Sequence, residues 1–156
     1  MEVIGILPFP RNINSKPKRP TGKFAHENHK ETFYALDFPL PLNTPVMAIN
    51  KGSVFIAKYD SDKLFLPSEI EHLSKKEISN IAKNYTNYVA IYHGNNIFTE
   101  YCHLSKKEVV KAGGFVSQGD ILGYVGMTGI TSEPHLHINA FIIEGKKVRS
   151  VPLRFV

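Results

Sequence analysis

His135-Leu136-His137 puts two imidazoles two positions apart near the C-terminal end of the chain. Side chains alternate faces along a β-strand, so in a strand both rings project from one face and Leu136 turns to the other. Imidazole can bind a metal, accept a proton or donate one near neutral pH. One ring of such a pair can hold a metal while the other stands beside the open coordination position, close enough to act on a bound water. A catalytic zinc ion typically takes about three ligands from His, Asp and Glu and leaves one position for water. Histidines fall at this spacing on many surfaces, so the pair gains meaning only from its surroundings.

The preceding segment supplies some of that meaning. Gly119, Gly123, Gly126 and Gly129 punctuate it, and Pro134 sets the backbone just before His135. Glycines at this density mark tight turns or close backbone approach beside a site. His93 falls in a turn and His72 in a helical stretch, where both read as surface or structural residues. The single cysteine, Cys102, excludes an internal disulfide and a cysteine-based zinc cluster. Between Tyr101 and His103 it reads as a small core residue, not a nucleophile.

The elements that must position these residues are mostly strands. Phe33 to Phe38, Val46 to Ile49, Ser53 to Tyr59, Tyr88 to Tyr92 and Ile97 to Tyr101 are short runs separated by turn signals. His93-Gly94-Asn95-Asn96 reads as the turn of a hairpin. Phe115-Val116, Ile121 to Val125 and His135 to Ile143 follow, and Glu144-Gly145 ends the last of them. Residues 67–84 differ. Pro67-Ser68 with Glu69 and Glu71 resembles a helix start, and Ile70, Leu73, Ile78 and Ile81 recur at helical spacing. Lys106 to Lys111 reads as one more helical turn. The pattern predicts an all-β fold, an antiparallel sandwich with barrel-like character, carrying a short helical insertion near 67–84. An extended lead-in over residues 1–23, rich in Pro, Lys, Asn and Arg from residue 8 onward, precedes a single domain over 24–156.

Composition narrows the function classes. At 156 residues the chain can bury its own core. A net charge of +5 suits an anionic partner, but the lysines are scattered and no basic stripe interleaved with aromatics suggests nucleic acid. No apolar run reaches the roughly 18 residues of a membrane span. Pro8 and Pro10 interrupt the first apolar stretch, which has no basic n-region, so no signal peptide is visible.

Gly119-Asp120-Ile121-Leu122-Gly123, Gly126-Met127-Thr128-Gly129 and Pro134-His135-Leu136-His137 closely resemble the C-terminal signature of the lysostaphin-like (LytM-domain) zinc endopeptidases. Tyr101-Cys102-His103-Leu104-Ser105 resembles that family's Tyr-Ala-His-Leu segment. Tyr34-Ala35-Leu36-Asp37-Phe38, with Thr44-Pro45-Val46 and Ala48, resembles its aspartate-bearing strand and the turn that follows. The segments keep the family's order and together are specific. The resemblance implies a Zn2+ ion held by His137, Asp37 and one earlier histidine. It implies that His135 and His103 handle protons and polarise the scissile carbonyl.

The first ligand departs from the commonest family form, which has histidine where this chain has Phe33. Other members carry it further upstream after an aromatic residue. Phe24-Ala25-His26 resembles that version, which favours His26; His29 is the competitor. Glu133 and Asn43 stand where the family often has glycine, and the stretch 60–84 is longer than in compact members. By resemblance the substrate is a peptide of peptidoglycan, cut in cross-links or stem peptides, and the protein works in the cell envelope or is secreted. A monomer is the expected state. The alternative is a catalytically silent member of the same fold that binds or regulates.

Overall fold

The computed structural model describes all 156 residues. In chain order the strands are β1 (Val3–Gly5), β2 (Leu36–Pro39), β3 (Pro45–Met47), β4 (Gly52–Lys58) and β5 (Leu64–Phe65). Helices α1 (Pro67–Ile70) and α2 (Lys75–Tyr85) follow. The remaining strands are β6 (Tyr88–Tyr92), β7 (Phe98–Cys102), β8 (Phe115–Val116), β9 (Ile121–Tyr124), β10 (Gly129–Ile130), β11 (His135–Glu144), β12 (Lys147–Val151) and β13 (Leu153–Phe155). The fold is mostly β, as expected, and its barrel-like aspect is an open sheet that does not close. That sheet has seven strands in the order β12-β11-β7-β6-β4-β8, with β2 on the free part of β11. Its neighbouring strands all pair antiparallel.

Alternation along β11 separates two jobs. Leu136, Ile138, Ala140 and Ile142 turn inward and are buried. They meet Val89, Ile91 and Tyr101 from the neighbouring strands, Val46 and Leu122 from the small β3–β9 layer, and Val125 just after it, in one hydrophobic core. Fully burying a side chain of this size contributes roughly 1.5–3 kcal/mol. His135, His137 and Asn139 take the opposite face of β11.

The insertion forms two helices. Ser74 caps α2 by accepting from the Glu77 N–H at 3.1 Å, and Glu77 reaches back to the Ser74 N–H. No residue of α2 is fully buried. It lies along β10 as a wall beside the sheet. His72 sits between the two helices and not within one.

Three local readings need correction. The strand expected from Phe33 begins only at Leu36, because residues 32–35 turn. Ala35 N–H bonds to the Thr32 carbonyl, and Tyr34 N–H goes to Ser150 Oγ. Lys106 to Lys111 forms no helical turn; the Val110 N–H bonds to Tyr59 Oη in place of a carbonyl one turn back. Cys102 is not a core residue, because Tyr101 takes the core face of β7 and Cys102 the histidine face. Burial first, then the nearby Glu100 and Asp37 carboxylates, push its thiol well above the usual range. It therefore stays protonated and is a poor nucleophile.

The first 23 residues pack onto the domain. β1 pairs in parallel with β13, Phe9 is buried against Phe38, and Lys18 bridges to Asp37 through both backbone hydrogen bonds.

Candidate metal centre and cleft

Register brings the first two site residues together. Asp37 on β2 stands directly opposite His137 on β11, with Cys102 on its other side. His137 Nδ1 lies 3.0 Å from Asp37 Oδ1. The third residue comes from a single 3-10 turn, His26–Asn28, in the loop before β2. His26 is buried, and its Nδ1 lies 2.9 Å from the Ala35 carbonyl. A carbonyl only accepts, so Nδ1 carries the proton and Nε2 is free. That Nε2 is 3.4 Å from Asp37 Oδ1. One donor atom each from His26, Asp37 and His137 lie within 4.8 Å of one another. Two imidazole nitrogens and one carboxylate oxygen converging on one point fit the donor preferences of zinc. His29, the competing residue, is exposed and faces Glu31 at 3.8 Å.

The electrostatics match a cage of this kind. Burial alone would raise Asp37, but the hydrogen bond and charge of His137, with His26 and His135 beside it, hold it below the usual carboxylate range. His137 is raised despite burial, because the Asp37 carboxylate outweighs desolvation. Burial and the neighbouring His137 lower His26.

His103 and His135 stand at the edge of this group with rings 4.6 Å apart. His103 Nδ1 is 2.7 Å from the Thr128 carbonyl. His135 Nδ1 is 2.9 Å from the Glu133 carbonyl and 3.0 Å from Thr131 Oγ1. Both anchors require a proton on Nδ1 and leave Nε2 free, and His135 Nε2 sits 3.8 Å from Asp37 Oδ1. The glycine-rich segment sets the position of His103. Gly126 N–H donates to the His103 carbonyl, and a Cβ on Gly126 would stand 2.6 Å from the Ser105 nitrogen. Gly129 adopts φ +84°, a left-handed conformation that favours glycine. His103 itself has φ +66°. Asn43, where glycine is frequent in the resembled family, has φ +67°, which asparagine tolerates better than most residues.

Burial, followed by the adjacent His135 and His137, lowers His103 to about 3. The unfolded chain therefore takes up a proton here near pH 6.5, and the folded chain only near pH 3. In that window the unfolded state binds more protons, so stability falls as pH falls. A depression of this size corresponds to roughly 5 kcal/mol. His26 acts in the same direction, and His137 in the opposite one above its ordinary value. Thermal melts of the metal-free protein should therefore show a falling Tm between pH 6.5 and 4. His103→Asn, which tolerates the left-handed backbone at this position, should flatten that slope. Equal slopes in the two proteins would contradict a neutral, buried His103.

All five residues singled out in the sequence line one cleft of about 340 Å³. Lys18 and Arg19 form one side, and Ile130 to Glu133 the other. Sequence reasoning did not reach this cationic wall, because only the Lys18–Asp37 bridge brings it there. It also missed Thr131, a buried hydroxyl four residues before His135 in the same segment.

The model of peptidase family M23 matches residues 31–150. The peptidoglycan DD-endopeptidase ShyA of Vibrio cholerae is 34% identical over 115 residues, which is 74% of this chain and 21% of ShyA. A zinc-containing peptidase from Vibrio cholerae has a TM-score of 0.56 at 23% identity, over 87% of this chain and 36% of that one. The lysostaphin catalytic domain from Staphylococcus simulans has a TM-score of 0.54 at 24% identity, over 94% and 84% of the two chains. The two structural likenesses bear on the fold alone. The chain spans about a quarter of the length of the curated relatives it matches.

Proposed function

The chain belongs to peptidase family M23, and on that premise we propose that it is a zinc-dependent endopeptidase that hydrolyses peptide bonds of peptidoglycan, in cross-links or stem peptides. The observation that carries this reading is the convergence of His26 Nε2, Asp37 Oδ1 and His137 Nδ1 beside two further imidazoles with free Nε2 atoms. Relatives named as peptidoglycan endopeptidases support the substrate, and with it a place of action in the cell envelope or outside the cell.

His26, Asp37 and His137 would hold the zinc ion. When bound, zinc acidifies water and polarises a carbonyl oxygen. The chain's own residues handle the rest. The backbone anchors of His103 and His135 engage Nδ1 and leave the Nε2 atoms free in the cleft. One of the pair takes the proton of the attacking water, and the other stabilises the oxyanion or helps protonate the leaving amine. The test is zinc content measured together with digestion of purified peptidoglycan. One zinc per chain with released peptides is the expected result.

The first ligand has its own test. His26→Ala should lose zinc and hydrolysis, and His29→Ala should retain both, because of these two rings only that of His26 reaches Asp37. Losing one of about three protein ligands weakens binding far more than losing a histidine that lies nearby. Zinc affinity and turnover measured in parallel decide between them. Loss in His29→Ala alone would move the ligand.

A further inference from the structure

The histidine-bearing face of the sheet continues past the cage. Glu100 and Cys102 on β7 share it with His137 and Asn139 on β11. Asn139 stands opposite Glu100 in register, and His137 opposite Cys102. A Glu100 carboxylate oxygen, the Cys102 sulfur and an imidazole nitrogen of His137 lie within 4.8 Å of one another. This trio offers no second metal site, because one neutral imidazole would have to bind two ions.

Glu100 has an unusual setting for a carboxylate. It is half-buried and joins none of the chain's ion pairs, and burial raises its carboxyl above the usual range against the opposing pull of His137 and Asn139, so without a bound cation its charge is poorly compensated. Its one hydrogen bond comes from Asn139 Nδ2 at 3.1 Å. Asn139 is fully buried and spends its other groups on the loop that carries the first histidine. Its Nδ2 also donates to the Glu31 carbonyl at 2.7 Å, and its Oδ1 accepts from Ser150 Oγ at 2.8 Å. Ser150 Oγ in turn accepts from the Tyr34 N–H at 3.0 Å. Tyr34 precedes Ala35, whose carbonyl orients His26. One polar network therefore runs from Glu100 to the backbone that aims His26.

His137 completes the argument. Its Nδ1 faces Asp37, so a metal there would leave Nε2 as the protonated nitrogen. Metal-ligating imidazoles almost always donate that second proton to a carboxylate, a carbonyl or water. No carbonyl or hydroxyl of this chain accepts from the His137 ring, whose sole side-chain hydrogen bond is to Asp37. A zinc ion with two neutral imidazoles and one carboxylate also keeps a net positive charge, which a nearby carboxylate offsets in a partly desolvated site.

We propose that Glu100 is a positioning residue of the metal centre: Asn139 holds its carboxylate within 4.8 Å of a His137 imidazole nitrogen, and when the metal binds the carboxylate closes that gap to receive the Nε2 proton and balance the cation. This rests on His137 being a zinc ligand. Glu100→Gln keeps the size and the Asn139 contact but removes the charge. Zinc affinity is read by competition with a chelator, and fold by the Tm of the metal-free protein. The expected result is zinc binding weakened about 10–100-fold with the metal-free Tm nearly unchanged. A purely structural residue would shift the Tm and leave affinity alone. A zinc affinity equal to that of the unmodified chain overturns the proposal. If the variant does not fold, 15N NMR of the zinc-loaded unmodified protein decides: a protonated, hydrogen-bonded His137 Nε2 supports it, and an Nε2 proton exposed to water overturns it. Failure of the unmodified chain to bind zinc would bring down the metal-centre reading as well, and so is distinguishable from failure of Glu100 alone.

Discussion

His137→Ala and Asp37→Ala should each give a folded protein that holds no stoichiometric zinc and does not cut peptidoglycan. The fold should survive because both side chains point away from the core. Leu136 and Ile138 flank His137 on the buried face, and Phe38 next to Asp37 is buried on the same side. The cage should not survive, because each substitution removes one of its three converging donors. Asp37 contributes more than a donor atom. His26, His135 and His137 all lie within 3.8 Å of its Oδ1, so its loss leaves three imidazoles facing one another without an anion. Asp37→Ala should therefore empty the site even where residual histidines remain. A metal acting as Lewis acid is worth several kcal/mol, and each 1.4 kcal/mol is about tenfold in rate, so activity should fall at least about 10³-fold. Elemental analysis with a peptidoglycan digest reads both effects. Full zinc occupancy in both variants would sink the ligand assignment.

The sequence made some of this site easy to read, for reasons tied to particular residues. His135-Leu136-His137 lies in a strand of regular alternation, so its face could be inferred from two positions. The β6–β7 hairpin announced itself in Gly94-Asn95-Asn96, whose left-handed φ values of +86°, +51° and +60° suit those residue types. What escaped was long-range pairing. Val3–Gly5 looks like the start of an extended lead-in, and only β13, some 150 residues away, makes it a strand. Strand Lys147–Val151 is polar on its outer half and carries no local signal, yet its Ser150 holds both Tyr34 and Asn139. Phe33 reads as strand from its aromatic neighbours, because the Tyr34–Ser150 bond at the turn there is invisible in a local window. Glu100 was overlooked for a related reason. Its significance comes from standing opposite Asn139 and beside His137, and register of that kind is set by the whole sheet.

His135→Ala and His103→Ala should separate metal binding from catalysis. Neither ring belongs to the converging donor set, so both variants should keep about one zinc per chain. Both should lose activity by about 10²–10⁴-fold, the usual contribution of a positioned general acid or base. The two rings are in contact at 4.6 Å, and each is fixed by a carbonyl on its Nδ1. Groups that act as one unit are not additive, so the double variant should lose little more than the worse single one. His103 carries a complication, because its backbone sits at φ +66° and alanine tolerates that conformation poorly. His103→Asn is the control, since asparagine accepts left-handed backbone while lacking the imidazole. If the asparagine variant binds zinc normally, melts normally and is nearly inactive, the loss belongs to the ring and not to strain in the turn. A turnover close to that of the unmodified chain in either His135→Ala or His103→Asn would remove that histidine from the mechanism.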